Sequence, residues 1–418
     1  MDVDVLANVL ANVLYEIEER KISLDRAFTC VCRRVKCSSK SFTREEIHRI
    51  AEDFLRKVLF LYRYVENSGR SASRRSIARL YLFLESRRLG IKFTSRMRKT
   101  LLRQYPFLSQ TLEADEEKQL VLSYPEWFYQ ELVKLLGVDE TVKLLKALDQ
   151  RVMWLRVNTL LIDIDKAVKI LEDEGVRVEE VKRVPFLLKV IKSKKPIRNT
   201  RLFREGKVII QDKASVFTVL ALQPEPGDTV YDFAAAPGIK TSLIMQLTDN
   251  RARVVAMDLS PKRLKSMKAL LKKYGVKVER IDLVLADTRI FRPRGLADLA
   301  LVDAPCSSSG AIPKDPAIKL FLRDRERVRK FAQTQFKMLV NALKSAERVV
   351  YATCSIMPME GEEVVLKVLN EVDTHSLADP PVNASRGYRR YSIWNKVRRT
   401  YPHVDECEGF FISLLTRA

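Results

Sequence analysis

The stretch Thr229-Val-Tyr-Asp-Phe-Ala-Ala-Ala-Pro-Gly-Ile-Lys-Thr241 predicts a buried strand, a tight loop and the first turn of a helix. It belongs to a regular alternation of strands and helices that we expect over residues 206–418. Expected strands are Thr229–Phe233, Arg253–Asp258, Ile281–Ala286, Asp298–Asp303 and Arg348–Thr353, and expected helices are 240–247, 261–274, 324–343 and 360–370. This alternation is typical of a doubly wound α/β fold, whose ligand loops follow the carboxyl ends of mostly parallel strands. The closing segment Gly409-Phe-Phe-Ile-Ser-Leu-Leu415 predicts one further, antiparallel strand.

The first loop lacks the pattern of a dinucleotide site. Such a site shows Gly-x-Gly-x-x-Gly after its first strand, whereas only Gly238 is present here, which argues against NAD or FAD. Pro237-Gly238 forms the expected turn, and Lys240-Thr241 begins the helix. Glycine permits a close approach of the backbone, and a helix amino terminus favours a carboxylate, so the loop suits an anionic part of a ligand.

Two aspartates follow the next two strands. Asp258 ends the second strand, where a carboxylate could bind ribose hydroxyls, and Asp287 follows the third, where an adenine amine could lie. Either residue could instead cap a helix, and Asp258-Leu-Ser-Pro is itself a plausible helix start. The coincidence of three such features at successive strand ends favours a ligand, and the ligand that fits is S-adenosylmethionine.

Two cysteines lie in two further motifs, Asp303-Ala-Pro-Cys306-Ser-Ser-Ser-Gly310 and Tyr351-Ala-Thr-Cys354-Ser355. Both follow hydrophobic runs that predict buried strands. One cysteine at a strand end is usually part of the core, but two at the same edge of a sheet, beside a cofactor loop, indicate covalent chemistry on a poorly reactive carbon. Amine methyltransferases would show Asp/Asn-Pro-Pro-aromatic at this strand, and Asp303-Ala-Pro-Cys306 differs from that pattern.

Composition indicates a polyanionic partner. The chain has 418 residues, enough for two or three domains, and carries a net charge of +22. Its pI near 9.7 favours nucleic acid, although a solvated basic surface is the alternative. It has no apolar run of roughly 18 residues and begins with acidic residues, so we expect no membrane association and a cytoplasmic protein with six reduced cysteines.

Residues 1–112 predict an all-helical domain. They contain 23 Lys and Arg against 12 Asp and Glu, a net +11 and half of the charge of the chain. Thr43 and Glu46 have the spacing of a capped helix start. The basic excess concentrates late, at Arg87, Arg88, Lys92, Arg96, Arg98, Lys99 and Arg103. We interpret this domain as an RNA-docking module.

An acidic stretch, Glu113–Glu117, predicts a linker to a small α+β domain over residues 120–205. Expected helices of that domain are 126–136, 139–149 and 163–174, and expected strands are 154–158, 176–181 and 186–191. Its basic end, from Lys192 through Arg204, would suit backbone phosphates.

The motifs resemble those of RNA (cytosine-5)-methyltransferases of the Sun family. The resemblance rests on Asp232–Thr241, Asp303–Ser307, Thr353-Cys354-Ser355, Gly409-Phe-Phe, Pro125-Glu-Trp127, Trp154–Thr159 and Gln211–Ser215, and so covers about residues 120–418. Residues 1–112 resemble, more weakly, the NusB-like domain of bacterial rRNA members. The chain departs from the family at Ile239, usually a second glycine, and at Ala234, often cysteine, which would make the loop stiffer. The resemblance implies a Rossmann-like class I methyltransferase domain over residues 206–418.

The resemblance also implies roles for individual residues. Cys354 would attack carbon-6 of cytosine, Cys306 would assist release, Asp303 would hold the cytosine edge, and Lys240 would contact the base and its neighbours. S-adenosylmethionine would bind Ala234, Ala235, Ala236, Pro237, Gly238, Ile239, Lys240, Asp258, Arg263, Asp287 and Asp303.

Several alternatives stay open at the level of sequence. DNA cytosine methyltransferases attack with the Pro-Cys cysteine, which would reverse the roles of Cys306 and Cys354. The substrate could be DNA, or the chain could be a non-catalytic ribosome-assembly factor. Between rRNA and tRNA, the NusB-like start favours rRNA. We expect a monomer, and no metal site, because Cys30, Cys32, Cys37 and His48 match no ligand spacing.

Overall fold

The structure is a computed structural model that describes residues 3–38, 42–67, 69, 72–105, 116–291 and 293–418. The chain divides into two compact units. The first contains residues 1–150 and 311–325, and the second contains residues 151–310 and 326–418. Within the described ranges, no helix is both long and apolar enough to cross a bilayer.

The first unit is helical. Its helices are α1 (Val3–Arg20), α2 (Leu24–Cys32), α3 (Arg44–Asn67), α4 (Arg74–Leu84), α5 (Ser95–Gln104), and then Glu116–Leu122, Glu126–Leu136, Val138–Leu148 and Ile318–Phe321. Apolar residues recur at helical spacing in α1 and α3 and are buried, except Val5, which is 46% exposed; the buried ones are Leu6, Val9, Leu10, Val13, Leu14, Ile17, Ile47, Ile50, Phe54, Leu55, Val58 and Leu61. The capped start of α3 is confirmed, since the Thr43 amide donates to Glu46 Oε2 over 2.7 Å and the Glu46 amide donates to Thr43 Oγ1 over 3.2 Å.

The expectation of six reduced cysteines is wrong. Cys32 and Cys37 form a disulfide, with their Cα atoms 5.3 Å apart. Cys32 ends α2 and the chain turns back directly after it, which brings the two thiols together; the expectation rested on compartment and took no account of this local turn. Cys30, Cys306, Cys354 and Cys407 are free thiols.

Only the last two residues of the expected acidic linker, Glu113–Glu117, lie within the described part of the chain. Glu113, Ala114 and Asp115 lie outside the described residues. Glu116 and Glu117, expected in the linker, instead form the first turn of the helix Glu116–Leu122. Acidic side chains there favour helix formation, because they face the positive end of the helix dipole.

The second unit begins with a four-stranded antiparallel sheet in the order β2-β3-β1-β4. These strands are β1 (Trp154–Val157), β2 (Val176–Val181), β3 (Val184–Ser193) and β4 (Val208–Ile210), and the helix Ile164–Asp173 connects β1 to β2. The apolar side chains of Leu155, Leu171 and Leu188 form its core with their neighbours.

The larger sheet has the order β11-β12-β13-β9-β8-β5-β6-β7, with β10 paired to β13. Its strands are β5 (Thr229–Asp232), β6 (Arg253–Asp258), β7 (Ile281–Leu285), β8 (Ala297–Asp303), β9 (Ala346–Thr353), β10 (His375–Ala378), β11 (Ser385–Arg386), β12 (Arg398–Thr400) and β13 (Phe410–Arg417). Strands β5 to β9 are parallel, and β13 runs antiparallel to β9, as the sequence predicts. The helices Lys213–Leu222, Ile239–Leu247, Pro261–Lys273, Arg325–Leu343 and Glu362–Glu371 accompany them.

Side chains alternate between the two faces of this sheet. On β9, Val350 packs into one core and Val349 and Tyr351 into another, and β5 divides Val230 from Tyr231 in the same way. A sheet covered by helices on both faces requires apolar residues on both, which is why its strands read as continuous hydrophobic runs. The predicted doubly wound Rossmann-like fold is confirmed, as are the helical start and the small α+β portion.

Candidate active site

Three loops meet because three strands are neighbours. The order β9-β8-β5 places the carboxyl ends of these strands side by side, with Asp303 opposite Ala352 and Asp232 opposite Leu301. The chain order reverses between β5 and β8, which is where doubly wound sheets form a ligand crevice. The loops beginning at Asp232, Asp303 and Thr353 therefore share one edge of the sheet.

Lys240 and Asp303 form an ion pair at this edge, with Nζ 2.6 Å from Oδ2. The Lys240 side chain is 13% exposed and its Nζ lies 5.5 Å from the centre of the Phe410 ring. Burial opposes the charge, but the Asp303 carboxylate outweighs it and raises the pKa of Lys240, with a smaller contribution from Cys354. The structure thus keeps a cation close to Cys354.

The two cysteines of the separate motifs are in contact, with Cys306 Sγ 3.2 Å from Cys354 Sγ. The hydrogen bond with Cys354 and burial together raise the pKa of the Cys306 thiol well above its ordinary value. Cys306 therefore holds its proton more firmly than an exposed thiol would.

Sequence reasoning gave no role to Ser308, which lies next to both sulfurs. Its Oγ is 3.4 Å from Cys354 Sγ and 3.9 Å from Cys306 Sγ. Ser308 has a φ of 59°, a conformation that is uncommon outside glycine and that occurs at functional sites. The run of three serines after Cys306 was the available signal, but it did not distinguish one serine from another.

The cysteine loops are anchored to the Gly-Phe-Phe segment. The Gly310 amide donates to the Cys354 carbonyl over 3.0 Å, and the Gly409 amide donates to the Gly310 carbonyl over 2.9 Å. A Cβ on Gly310 would lie 1.8 Å from the Gly409 carbonyl oxygen, so any side chain there would push the two backbones apart. This close approach gives a physical reason for the glycines that end one motif and begin the other.

Asp232 lies beneath the first loop and is 1% exposed. It accepts a hydrogen bond from Thr241 Oγ1 over 2.7 Å. Burial, aided by the nearby charge of Asp303, raises the pKa of Asp232 to about 7, although the Thr241 hydrogen bond opposes the shift. Asp232 thus ties the end of β5 to the first turn of the helix that carries Lys240.

The residues expected to bind S-adenosylmethionine line the neighbouring part of the edge. Ala234 to Ile239 form the loop, in which Gly238 has a φ of 101° and directly precedes the helix Ile239–Leu247. A Cβ on Gly238 would lie 2.9 Å from Met267 Cγ, so the loop packs closely on the helix Pro261–Lys273. Helix amides, carboxylates and apolar surface at one edge suit the carboxylate, ribose and adenine of that molecule.

Asp258 and Arg263 are joined. Arg263 Nη1 lies 3.2 Å from Asp258 Oδ2, and its Nη2 donates to the Ala236 carbonyl. Asp258 Oδ1 accepts from the Ser260 amide over 2.9 Å, and it is Ser260, not Asp258, that caps the following helix. Arg263 therefore links the first loop to the end of β6, and a ribose at Asp258 would have to share that carboxylate with Arg263.

Asp287 follows β7 and is paired with Arg289, whose Nη2 is 2.5 Å from Oδ2. This hydrogen-bonded pair lowers the pKa of Asp287. Sequence reasoning missed two exposed apolar side chains near these aspartates: Leu259 follows Asp258 in the chain and is 63% exposed, and Leu285, paired in register with Asp258, is 59% exposed. Exposed leucines beside the two carboxylates offer the apolar contact that an adenine ring needs.

Arg156, on β1 of the four-stranded sheet, holds the first turn of the helix Ile239–Leu247. Its side chain is fully buried, donates to Ser242 Oγ over 2.7 Å and donates to the Ile239 carbonyl over 3.3 Å. Burial lowers the pKa of Arg156 to about 9. The Trp-Leu-Arg-Val-Asn motif thus contributes structurally to the loop of the larger sheet. Within the part of the chain that the structure describes, no three His, Cys, Asp or Glu side chains are grouped to hold a metal ion.

The chain is similar to proteins of known family. The family described as "16S rRNA methyltransferase RsmB/F" matches residues 219–416, and the family "Methyltr_RsmF/B-like, ferredoxin-like domain" matches residues 124–196. The "Probable ribosomal RNA small subunit methyltransferase B" of Coxiella burnetii is 32% identical over 328 residues, which are 75% of this chain and 73% of that protein. A "28S rRNA (cytosine-C(5))-methyltransferase" of Mus musculus is 32% identical over 307 residues, 70% of this chain but only 38% of the longer mouse protein.

Solved structures agree with these matches. The crystal structure of PH0851 has a TM-score of 0.79 and 26% identity, and the match covers 99% of this chain and 98% of that one. A methyltransferase homolog protein from Pyrococcus horikoshii has a TM-score of 0.64 and 28% identity, covering 73% of this chain and all of that one.

Proposed function

The chain belongs to the RsmB/F, or Sun, family of rRNA cytosine-C5 methyltransferases, and we therefore propose that it transfers a methyl group from S-adenosylmethionine to carbon-5 of a cytosine in rRNA. The observation that carries the proposal is the contact between Cys306 and Cys354, 3.2 Å apart, beside the Lys240–Asp303 ion pair. A protein that only bound RNA would have no use for two adjacent thiols next to a largely buried cation.

The chemistry explains why a thiol is needed. Carbon-5 of cytosine is a weak nucleophile, but addition of a thiolate to carbon-6 makes it enamine-like and able to attack an electrophilic methyl group. S-adenosylmethionine supplies that methyl group when it is bound. Loss of the carbon-5 proton and elimination of the thiolate then release the methylated base and restore the cysteine.

We assign the attack to Cys354. Lys240 is the cation near Cys354, and Cys354 contributes to raising the pKa of Lys240, whereas the hydrogen bond with Cys354 and burial raise the pKa of Cys306. Cys306, in contact with the attacking sulfur, assists release. Asp303 holds the amino edge of the cytosine, and Lys240 orients Asp303 and the base.

For the cofactor, we propose that the loop Ala234–Ile239 and Lys240 hold the methionine portion, Asp258 the ribose and Asp287 the adenine. Arg263 fixes Asp258 against the loop through its contact with Ala236. The target base must leave its stack to reach the thiols, so cytosines in loops or unpaired segments are the preferred substrates.

For the RNA, we propose that residues 1–112 and residues 120–205 each carry basic side chains that bind its phosphates. The support is charge: Arg96, Arg98, Lys99 and Arg103 on α5 are exposed, as are Lys192, Lys194, Arg198 and Arg204. We propose a cytoplasmic, monomeric enzyme.

The test is methyl transfer in vitro. The protein is incubated with S-adenosylmethionine tritiated in the methyl group and with rRNA, tRNA or duplex DNA in parallel. We expect label in rRNA, recovered as 5-methylcytidine after digestion to nucleosides, and bisulfite sequencing then locates the cytosine. Label in tRNA or DNA alone would correct the substrate, and rRNA that binds without gaining label would favour an assembly factor.

A further inference from the structure

The carboxylate of Glu360 lies behind the two cysteines and is fully buried. It accepts hydrogen bonds from the Ser307 amide over 2.8 Å and from Gln335 Nε2 over 3.1 Å at Oε1. At Oε2 it accepts from Ser307 Oγ over 2.5 Å and from Ser355 Oγ over 2.6 Å. Four donors thus converge on one buried side chain, which is an unusually complete set for a single carboxylate.

The two serines are the residues that directly follow the two cysteines. Ser307 follows Cys306 on the loop after β8, and Ser355 follows Cys354 on the loop after β9. These loops come from different strands, so the carboxylate of Glu360 joins them at one oxygen atom, each bond coming from the residue that follows one of the two contacting cysteines.

Glu360 itself is held rigidly. Its carbonyl accepts from the Tyr351 hydroxyl over 2.7 Å and from Thr353 Oγ1 over 3.0 Å, both on β9. Gln335, which donates to Glu360, also donates to the carbonyl of Pro305, the residue before Cys306, over 2.9 Å. The network therefore fixes the Cys306 loop on both sides of the cysteine. Through Tyr351 and Thr353 it also ties that loop to β9, the strand that precedes Cys354.

We propose that Glu360 is a positioning residue for the methyl transfer, which holds Cys306 against Cys354 by binding the serine that follows each of them. This inference rests on the proposed function for its catalytic meaning, but the arrangement of the thiols that it predicts is a property of the protein alone. Glu360 acts through Ser307 and Ser355 and has no hydrogen bond to either sulfur among the described contacts.

Paired substitutions separate positioning from charge. Glutamine has the shape of glutamate, and serine hydroxyls rotate, so Glu360→Gln can donate to Ser307 Oγ and Ser355 Oγ while still accepting from the Ser307 amide. Glu360→Ala removes every contact. We expect Glu360→Ala to lower kcat roughly 100-fold, the usual effect of a shift of about 1 Å in a reacting group, with KM for RNA unchanged, and Glu360→Gln to stay within about tenfold of wild type. Equal loss in both variants would overturn the positioning role.

A second readout requires neither RNA nor a methyl donor. Phenylarsine oxide binds tightly only where two thiols are adjacent: arsenic forms two As–S bonds, and its oxygen leaves as water with both thiol protons. Wild type and Glu360→Gln are expected to bind it at least tenfold more tightly than Cys306→Ala, and Glu360→Ala to fall to the level of Cys306→Ala. The reagent is used without reductant, so that Cys32 and Cys37 stay paired.

The outcomes are distinguishable. Wild-type protein that binds the arsenical through both thiols but methylates no RNA would refute the proposed function and leave the role of Glu360 in place. Wild-type affinity in Glu360→Ala would overturn the inference whatever the methylation assay shows. If Glu360→Ala does not fold, Ser307→Ala removes one contact at the Cys306 loop and is expected to weaken arsenical binding, and wild-type affinity in that variant would overturn the inference equally.

Discussion

At the scale of single residues, the two cysteines are expected to fail differently when substituted. Cys354→Ala should abolish both methyl transfer and any covalent RNA adduct, because the remaining thiol keeps its proton. Cys306→Ala should still attack carbon-6 but release slowly, so a complex of protein and RNA that survives denaturation should accumulate. Denaturing gels with labelled rRNA measure this directly. An adduct from Cys354→Ala and none from Cys306→Ala would move the nucleophile to Cys306.

The raised pKa of Asp232 predicts how the stability of the folded protein changes with pH. Its pKa is raised to about 7 by burial, whereas an unfolded aspartate has a pKa of about 3.9. Between these values the folded state binds a proton that the unfolded state has lost, so this group makes the folded state less stable as pH rises towards 7. Asp232→Asn removes the effect while keeping an acceptor and a donor for the loop.

The Asn variant should therefore gain stability relative to wild type as pH rises from about 5 to 7, on the order of 1 kcal/mol per pH unit, and the difference should level off above pH 7. Melting curves at several pH values measure it, with Asp173→Asn, an exposed aspartate at the end of the helix Ile164–Asp173, as the control. If the difference in stability between Asp232→Asn and wild type does not change with pH, Asp232 is not protonated in the folded state.

The sequence identified Lys240, Asp303, Cys306 and Cys354 because each lies in a compact motif directly after a hydrophobic run, and parallel strands bring such ends together. It could not identify Glu360, because that residue was expected inside the helix 360–370, where glutamate is an ordinary first-turn residue. The helix begins instead at Glu362, and residues Pro358–Glu360 form a short 3-10 turn that directs the carboxylate inward. Only the fold shows what Glu360 binds.

At the scale of elements, α5 offers a test of RNA docking. Leu101 is buried on one side of α5, while Arg96, Arg98, Lys99 and Arg103 are exposed. Replacing these four by alanine should weaken RNA binding and flatten its salt dependence, because each lost phosphate contact reduces the slope of log affinity against log salt by about 0.7–0.9. Affinity for S-adenosylmethionine should stay unchanged.

The matched control for α5 is Arg88→Ala. Arg88 belongs to the same basic cluster in sequence but is ion-paired with Asp53 and Glu85, at 2.5 Å from each. Its removal should cost stability and leave the salt slope nearly unchanged. If the α5 variant keeps the wild-type slope, RNA docks elsewhere on the protein.

Long, regular elements were predicted well, and short edge strands were not. The central strands and helices agree with expectation to within a few residues because their apolar runs are continuous. Strand β12, Arg398–Thr400, was missed because two arginines suggest an exposed loop. In the fold Arg399 is fully buried, ion-paired with Glu362 at 2.5 Å, and donates to the Ser355 carbonyl over 3.2 Å. A charge that is neutralised by a distant residue leaves no local signal.

At the scale of the whole molecule, the division of the chain does not follow sequence order. Residues 311–325 come directly after the Cys306 loop yet belong to the same compact unit as residues 1–150. Ala317 and Leu320 join the core of the N-terminal helices, and the Leu24 amide donates to Asp315 over 3.2 Å. Deleting residues 1–110 would expose this segment, so substitutions on α5 test docking more cleanly than truncation does.

Lys319, in the segment 311–325 of that unit, has a fully buried side chain. Its Nζ lies 2.7 Å from Asp149 Oδ1, donates to the Arg56 carbonyl over 2.9 Å and lies 3.9 Å from the centre of the Tyr124 ring. Removing one partner of a buried ion pair leaves the other uncompensated. Lys319→Met keeps most of the apolar part of the side chain but leaves the Asp149 carboxylate without its cationic partner, so it should lower the free energy of unfolding by about 3 kcal/mol.

Thermal unfolding measures this loss, and hydrogen exchange locates it: amides of α1 and α3 should exchange faster in Lys319→Met, while those of β5 and β8 should not. Lys314→Met, five residues earlier and exposed, is the matched control and should behave as wild type. If Lys319→Met unfolds at the wild-type temperature, the buried ion pair contributes nothing net, and the segment is held by its apolar residues alone. If it unfolds earlier with unchanged exchange in α1 and α3, the charge stabilises some other part of the chain.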